Sequence, residues 1–136
     1  MNQIIPIEED KIKNLDDSFG MVSFSNEKTI LEGEKYSITI AYPRLVETLL
    51  FYDEDAFLGR LMDLGELAKQ QDVNWQHNIF KIENSTFIEK INENNDNLFK
   101  YLGVAHQHYF ICSKYKNNVV ELILVAEPQI IIEPLY

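Results

Sequence analysis

The spacing of apolar residues changes period along this chain, and each change marks an element. Between residues 19 and 41 the period is two. Phe19 to Phe24 alternates apolar and small residues, and Tyr36, Ile38 and Ile40 alternate with Ser37, Thr39 and Ala41. Successive side chains of a strand point to opposite faces, so each run predicts a strand with one face toward a core. Glu32-Gly33-Glu34 supplies the turn of a β-hairpin between them. From Pro43 to about residue 71 the period becomes helical. Val46, Leu50, Phe57, Leu61, Leu64 and Ala68 fall on one face. Pro43 suits a first helical turn, where a missing N–H costs nothing. A break is expected near Tyr52-Asp53, giving two helices or one kinked helix. Asp53 is the candidate N-cap of the second piece, and Glu54 and Asp55 favour the positive end of its dipole. Gly59 and Gly65 weaken that piece and mark close packing against a neighbour.

The second half repeats the alternation of periods. Asn78 to Ile82 predicts a short strand. Ser85 is a candidate N-cap for a helix that carries Phe87, Ile88, Ile91, Leu98, Phe99 and Leu102 on one face, with an interruption at Asn94-Asn95 and a stop at Gly103. His108 to Ser113 reads as a strand and Asn117-Asn118 as a turn. Val119 to Ala126 is apolar at nearly every position, with Glu121 the exception. An unbroken run of this kind suits a central strand buried on both faces. Gln129 to Ile132 forms a last strand, with Pro134 at an edge or at the strand's end. Residues 1–18 mix apolar and acidic positions and read as an irregular N-terminal arm. Residues 19–136 then form a single α+β domain, with a mainly antiparallel sheet and about three helices packed on one face.

Composition narrows the function more than any motif does. The chain has 136 residues, 22 acidic and 12 basic, for a net charge of −10. Such a surface repels phosphate backbones and anionic lipid and attracts basic proteins, although acidity also serves plain solubility. The expected partner is therefore a basic protein, with no nucleic acid and no membrane. With 46% hydrophobic and 12% aromatic residues, the chain has enough apolar material for a real core. The sequence shows no secretory leader and no apolar stretch of about 18 residues. Cys112 is the single cysteine, which excludes an internal disulfide and points to a small buried hydrophobe. These readings together predict a cytoplasmic protein.

Catalytic chemistry finds little support. There is no Gly-x-Ser-x-Gly elbow and no Gly-rich phosphate loop. Cys112 with His77 or His108 is a conceivable dyad, but a thiol among aromatic strand residues has its pKa raised. His106 and His108 lie on one side of a strand and offer two imidazoles to a metal, yet further ligands are missing nearby. No calcium-loop pattern occurs. The expectation is no enzyme, no cofactor and no metal.

The acidic segment remains as the candidate site. Glu47 to Asp72 holds seven acids against Arg60 and Lys69, five negative charges net. Asp55, Asp63, Glu66 and Gln70 fall opposite the apolar helical face, an arrangement that a merely solvated outer face would also produce. The candidate partner-binding residues are Asp53, Glu54, Asp55, Asp63, Glu66 and Trp75, with Phe80 as a second aromatic that serves either as anchor or as core. In size, charge, compartment and lack of a catalytic signature, the chain is similar to small acidic immunity proteins that neutralise bacterial toxins, toxic nucleases in particular. That likeness is one of profile and rests on no motif. It implies a non-enzymatic inhibitor that occludes a basic active site. The alternatives are a small enzyme or ligand-binding α+β domain, and an acidic mimic of nucleic acid, which would require a ladder of carboxylates along an elongated surface.

Overall fold

Nine strands and four helices form among residues 2–42 and 46–136, which the computed structural model describes. The strands are β1 (Gln3–Pro6), β2 (Met21–Phe24), β3 (Lys28–Glu32), β4 (Tyr36–Ala41), β5 (Val46–Tyr52), β6 (Ile79–Glu83), β7 (Gln107–Cys112), β8 (Val119–Leu124) and β9 (Gln129–Pro134). The helices are α1 (Glu9–Lys13), α2 (Leu58–Gln70), α3 (Thr86–Asn94) and α4 (Leu98–Tyr101). The fold is a single α+β domain, but its strands divide into two antiparallel sheets. The larger sheet runs β1-β6-β7-β8-β5 and the smaller β2-β3-β4-β9.

Alternation along the strands of the larger sheet feeds two cores. Ile79, Tyr109, Ile111, Val120, Leu122 and Leu124 point inward to the smaller sheet, where they meet Phe19, Leu31, Ile38 and Ile40. Phe80, Ile82, Phe110, Cys112 and Val119 point the other way and meet Leu61, Leu64 and Ala68 of α2. The larger sheet is therefore the middle layer. Every residue of β8 is buried, which is why its sequence is apolar on both faces. α3 lies on the outer face as well, since Phe87 packs against the ring of His108 at 5.9 Å. Expected helices on one face are thus present, while the opposite face carries a second sheet and Ile12 of α1.

Several sequence expectations are corrected here. The helix expected before Asp53 is strand β5, paired to β8 from Tyr52↔Val119 to Val46↔Leu124 with a register shift between Val46 and Thr48. Its expected start at Pro43 lies outside the described residues. Val, Thr, Phe and Tyr are β-branched or aromatic and prefer a pleated surface, a signal that the four-residue spacing of Val46 and Leu50 overrode. The irregular arm is woven into the fold. β1 pairs with β6, and Ile4 and Ile12 are buried. The side chain of Gln71 holds β1 in place, accepting from the Ile4 N–H and donating to the Asn2 carbonyl, both at 2.9 Å. A strand was also missed between the two of the expected hairpin. β3 alternates buried Thr29 and Leu31 with Lys28, Ile30 and Glu32, and the Glu32-Gly33-Glu34 turn joins it to β4.

The remaining boundaries follow the sequence. Ser85 caps α3 by accepting from the Ile88 N–H at 3.2 Å. Asn95 to Asn97 separate α3 from α4, and Gly103 ends the latter at φ +75°. Among the described residues, no helix is long and apolar enough to cross a membrane.

Leu61 is 5% exposed and packs α2 onto the sheet. Replacing it by Ala is expected to cost ~2–5 kcal/mol, as lost transfer energy plus a cavity. Urea unfolding followed by circular dichroism measures this, and a loss below ~0.5 kcal/mol would mean that α2 is held by something other than this face.

Candidate functional site

One charged residue interrupts β8, and the site is built around it. Glu121 points to the outer face of the larger sheet and is only 3% exposed. Three groups from three elements converge on its carboxylate. Arg60 of α2 donates through Nε to Oε2 at 2.8 Å and through Nη2 to Oε1 at 2.5 Å. Tyr52 of β5 donates its hydroxyl to Oε2 at 2.5 Å. His108 of β7 donates from Nε2 to Oε1 at 2.8 Å. Burial alone would raise the Glu121 pKa. The hydrogen bonds from Arg60, His108 and Tyr52, with the Arg60 charge, outweigh it and hold the carboxyl at about 2. The reciprocal effects agree. Arg60 is pushed up, first by its hydrogen bond to Glu121, and the Tyr52 hydroxyl is pushed up by burial and by the adjacent carboxylate.

Through His108, Ser85 at the start of α3 is tied to the same carboxylate. The Ser85 hydroxyl lies 2.8 Å from His108 Nδ1. The carboxylate only accepts, so the ring proton facing it sits on Nε2. In the neutral ring Nδ1 then accepts from Ser85. Serine, histidine and glutamate in series have the composition of a nucleophilic relay. Their geometry serves another purpose. Ser85 Oγ is engaged as the cap of α3, His108 is 2% exposed, and the space beside His108 and Glu121 is about 10 Å³, bounded by Leu50, Phe87 and Ile123. That is room for one water at most. The series works as a brace that fixes α2, α3, β5, β7 and β8 to one another.

The brace positions the acidic segment. Chain leaving β5 at Tyr52 enters a turn in which Asp53 Oδ1 accepts from the N–H groups of Asp55 at 3.0 Å and Ala56 at 3.3 Å. Asp53 thus caps this turn and not the helix, whose own N-cap is Phe57. Phe57 packs edge-on against the Tyr52 ring at 4.6 Å. Asp53, Glu54, Asp55, Asp63 and Glu66 are all exposed. Asp63 and Glu66 occupy the solvent arc of α2 opposite Leu61, Leu64 and Ala68, as the spacing predicts. Leu58 and Met62, one helical turn apart beside that arc, are 51% and 66% exposed. The Phe51 ring tilts against that of Phe24 of the smaller sheet at 4.8 Å, and both rings are exposed. Exposed apolar side chains therefore lie on the inner face of β5, at Phe51, and on the outer side of the sheet at the start of α2, where acids border them.

Other candidate residues lie elsewhere. Trp75 is half-buried beneath α2. Its ring stacks on Phe110 at 5.4 Å and tilts against Phe80 at 5.3 Å, and a Cβ added at Gly65 would come within 3.1 Å of its Nε1. Gly65 thus marks the close packing expected of it, whereas Gly59 does not, since a Cβ added there would meet nothing within 4 Å. Lys116 covers the same indole, its ammonium 4.6 Å from the ring centre, and donates to the Trp75 carbonyl. Phe80 is fully buried. The Cys112 thiol faces the carbonyls of His77 and Asn78, and burial pushes it up to about 11. The His77 ring donates to the Ile7 carbonyl at 2.7 Å and makes no dyad with it. His106 precedes β7 and packs on Phe99, while both nitrogens of His108 are already hydrogen-bonded. Among the described residues, no group of three or more His, Cys, Asp or Glu is placed to hold a metal ion.

Glu121 had been legible only as an odd charge in an apolar run. In the sequence Arg60 reads as a cation offsetting the acidic segment, whereas the fold pairs it with Glu121. Compared with protein-family models, with curated proteins and with solved structures, the chain matches none.

The brace has an acid signature. The folded Glu121 pKa lies below its ordinary value of 4.5, so its contribution to stability is complete above about pH 4.5 and is lost as pH falls toward about 2. Glu121→Gln is expected to remove this part of the acid slope, worth ~3 kcal/mol, and to destabilise the protein by ~3–5 kcal/mol at pH 7 by leaving Arg60 without its partner. Denaturant unfolding of both proteins between pH 7 and 2.5 tests it. Parallel pH curves would remove Glu121 from the acid response.

Proposed function

We propose that this chain is a non-enzymatic binding protein that docks a basic protein partner, acting as an immunity or inhibitor protein that occludes the active site of a basic toxin such as a nuclease. One observation carries the reading. The single arginine of the acidic segment is committed to buried Glu121 by two hydrogen bonds. The exposed acids Asp53, Glu54, Asp55, Asp63 and Glu66 therefore flank exposed Phe57, Leu58 and Met62 without that charge to offset them.

The physical logic is direct. A nuclease site is basic because it binds phosphates. An acidic surface accelerates encounter with it by steering, and a desolvated apolar centre slows escape. Phe57, Leu58 and Met62 supply that centre here, and the acids supply the rim. The brace at Glu121 keeps the turn and helix in one geometry, which reduces the ordering cost of association. A cytoplasmic location belongs to the same reading, since a toxin's target is protected where it resides.

The charge-reversed double variant Asp55→Lys, Glu66→Lys tests the reading. Both residues are exposed, so stability is expected to change by less than ~0.5 kcal/mol each. Association with the basic toxin domain that this reading requires is expected to slow by at least about tenfold at low salt, with the difference shrinking as salt rises. Stopped-flow measurement across salt concentrations decides it. An unchanged rate would place the interface elsewhere, and no association at all would overturn the inhibitor reading.

A further inference from the structure

We propose that the partner joins this face by strand addition, an extended basic segment pairing antiparallel with the outer edge of β5. This rests on the docking reading above and specifies how the contact is made.

Four sheet edges exist among the described strands: β1 and β5 in the larger sheet, β2 and β9 in the smaller. They are not equally available. Gln71 covers β1 through its two hydrogen bonds to Ile4 and Asn2. β9 ends in Pro134, which lacks a donor. β2 is four residues long. β5 is seven residues long, and from Thr48 to Tyr52 its register against β8 runs without interruption. Among the described residues, no other part of the chain hydrogen-bonds to the outer edge of β5. A free edge of this kind is a template for another strand unless charge, proline or a bulge blunts it. Here the bulge between Val46 and Thr48 blunts the first half only.

Side chains beside this edge fit an incoming strand on both of its faces. Leu50, opposite Glu121 in the ladder, stands on the outer face and is partly exposed. Phe51 stands on the inner face and tilts against Phe24 of β2, whose own edge lies on the same side of the sandwich. An added strand would set one row of side chains beside Leu50 and the alternate row against the Phe24–Phe51 pair.

Charge selects the occupant. β5 runs directly into exposed Asp53, Glu54 and Asp55. A strand added antiparallel brings its N-terminal end to these acids, so Lys or Arg at that end is matched. A second copy of this chain is disfavoured, because it brings a net charge of −10 to the same acids.

Three synthetic decapeptides with alternating Val and Thr test the proposal against the intact protein labelled with ¹⁵N. The first carries two Lys at its N-terminal end. The second is the same peptide with every other backbone nitrogen methylated, which removes the pairing donors. The third carries two Glu in place of Lys. Expected outcomes are amide shifts confined to β5 and its flanks with the first peptide, slowed exchange of the outward amides of Leu49 to Tyr52, and binding at least about tenfold weaker for the methylated form. Equal binding of the methylated peptide, shifts at β2 or β9 instead, or no binding by any peptide would overturn strand addition. If Lys and Glu peptides bind β5 alike, the edge is confirmed and the charge-based docking reading fails. If methylated and unmethylated Lys peptides bind equally with shifts at residues 53–66, the docking face stands and strand addition falls.

Discussion

The Glu121 carboxylate is the constraint on which the outer layer of this protein depends. It sits in the middle of an apolar strand, where an unpaired charge would be prohibitive. Its four hydrogen bonds come from Arg60, Tyr52 and His108, which belong to a helix, an edge strand and a central strand. Through Ser85 the same series reaches the cap of α3. A buried ion pair of this kind is weak evidence for net stability, because hydrophobic replacement of all partners often does as well. Its geometry is another matter. With each oxygen accepting from two directed donors, α2 cannot slide along the sheet without breaking several bonds at once. Apolar packing by Leu61, Leu64 and Ala68 fixes how deeply α2 sits. The carboxylate fixes its register.

That division explains which parts of the fold the sequence disclosed. Burial on both faces made β8 legible, because an unbroken apolar run has few other meanings. α2, α3 and the break at Asn95 were legible because amphipathic spacing and a serine cap are local signals. β5 was not. It is an edge strand that is apolar at Leu49, Leu50, Phe51 and Tyr52, so period two is absent, and Val46 and Leu50 happen to continue the helical spacing of α2. β1 and α1 were missed for a related reason. Each is short, and what fixes them is tertiary: the ladder to β6, the side chain of Gln71 and the burial of Ile12. No local pattern announces a bond between residues 4 and 71.

The site divides the same way. Helical spacing alone located exposed Asp63 and Glu66 opposite the buried face of α2. The pairing of Arg60 with Glu121 was invisible, since a lone arginine on an acidic helix reads as a surface charge. The one available clue was its complement, a glutamate in a strand that had to be buried on both sides. A buried acid demands a cationic partner, and this chain has only two arginines. Lys116 shows the alternative. Lys116 is buried, but its ammonium rests on backbone carbonyls and on the faces of Trp75 and Phe80, and burial pulls its pKa down. Arginine's planar fork suits a carboxylate in a way that lysine's point charge does not.

Pairing of Arg60 with Glu121 has a consequence at the surface. An arginine in solution beside Asp55, Asp63 and Glu66 would screen them and cover neighbouring apolar side chains with its stem. With its side chain 32% exposed and bonded to Glu121, Arg60 directs its charge to that carboxylate instead. The turn after β5 is left with acids whose charges are uncompensated nearby and with Phe57, Leu58 and Met62 open to solvent. Each feature alone is ordinary, since soluble proteins expose acids and scattered hydrophobes freely. Their concentration beside an uncovered strand edge is what the proposed docking of a basic, partly apolar chain rests on. The core and the candidate interface are therefore one design problem in this protein. The residue that pairs buried Glu121 is the one arginine of the acidic segment, and it spends its charge on that carboxylate instead of on the acids of the turn.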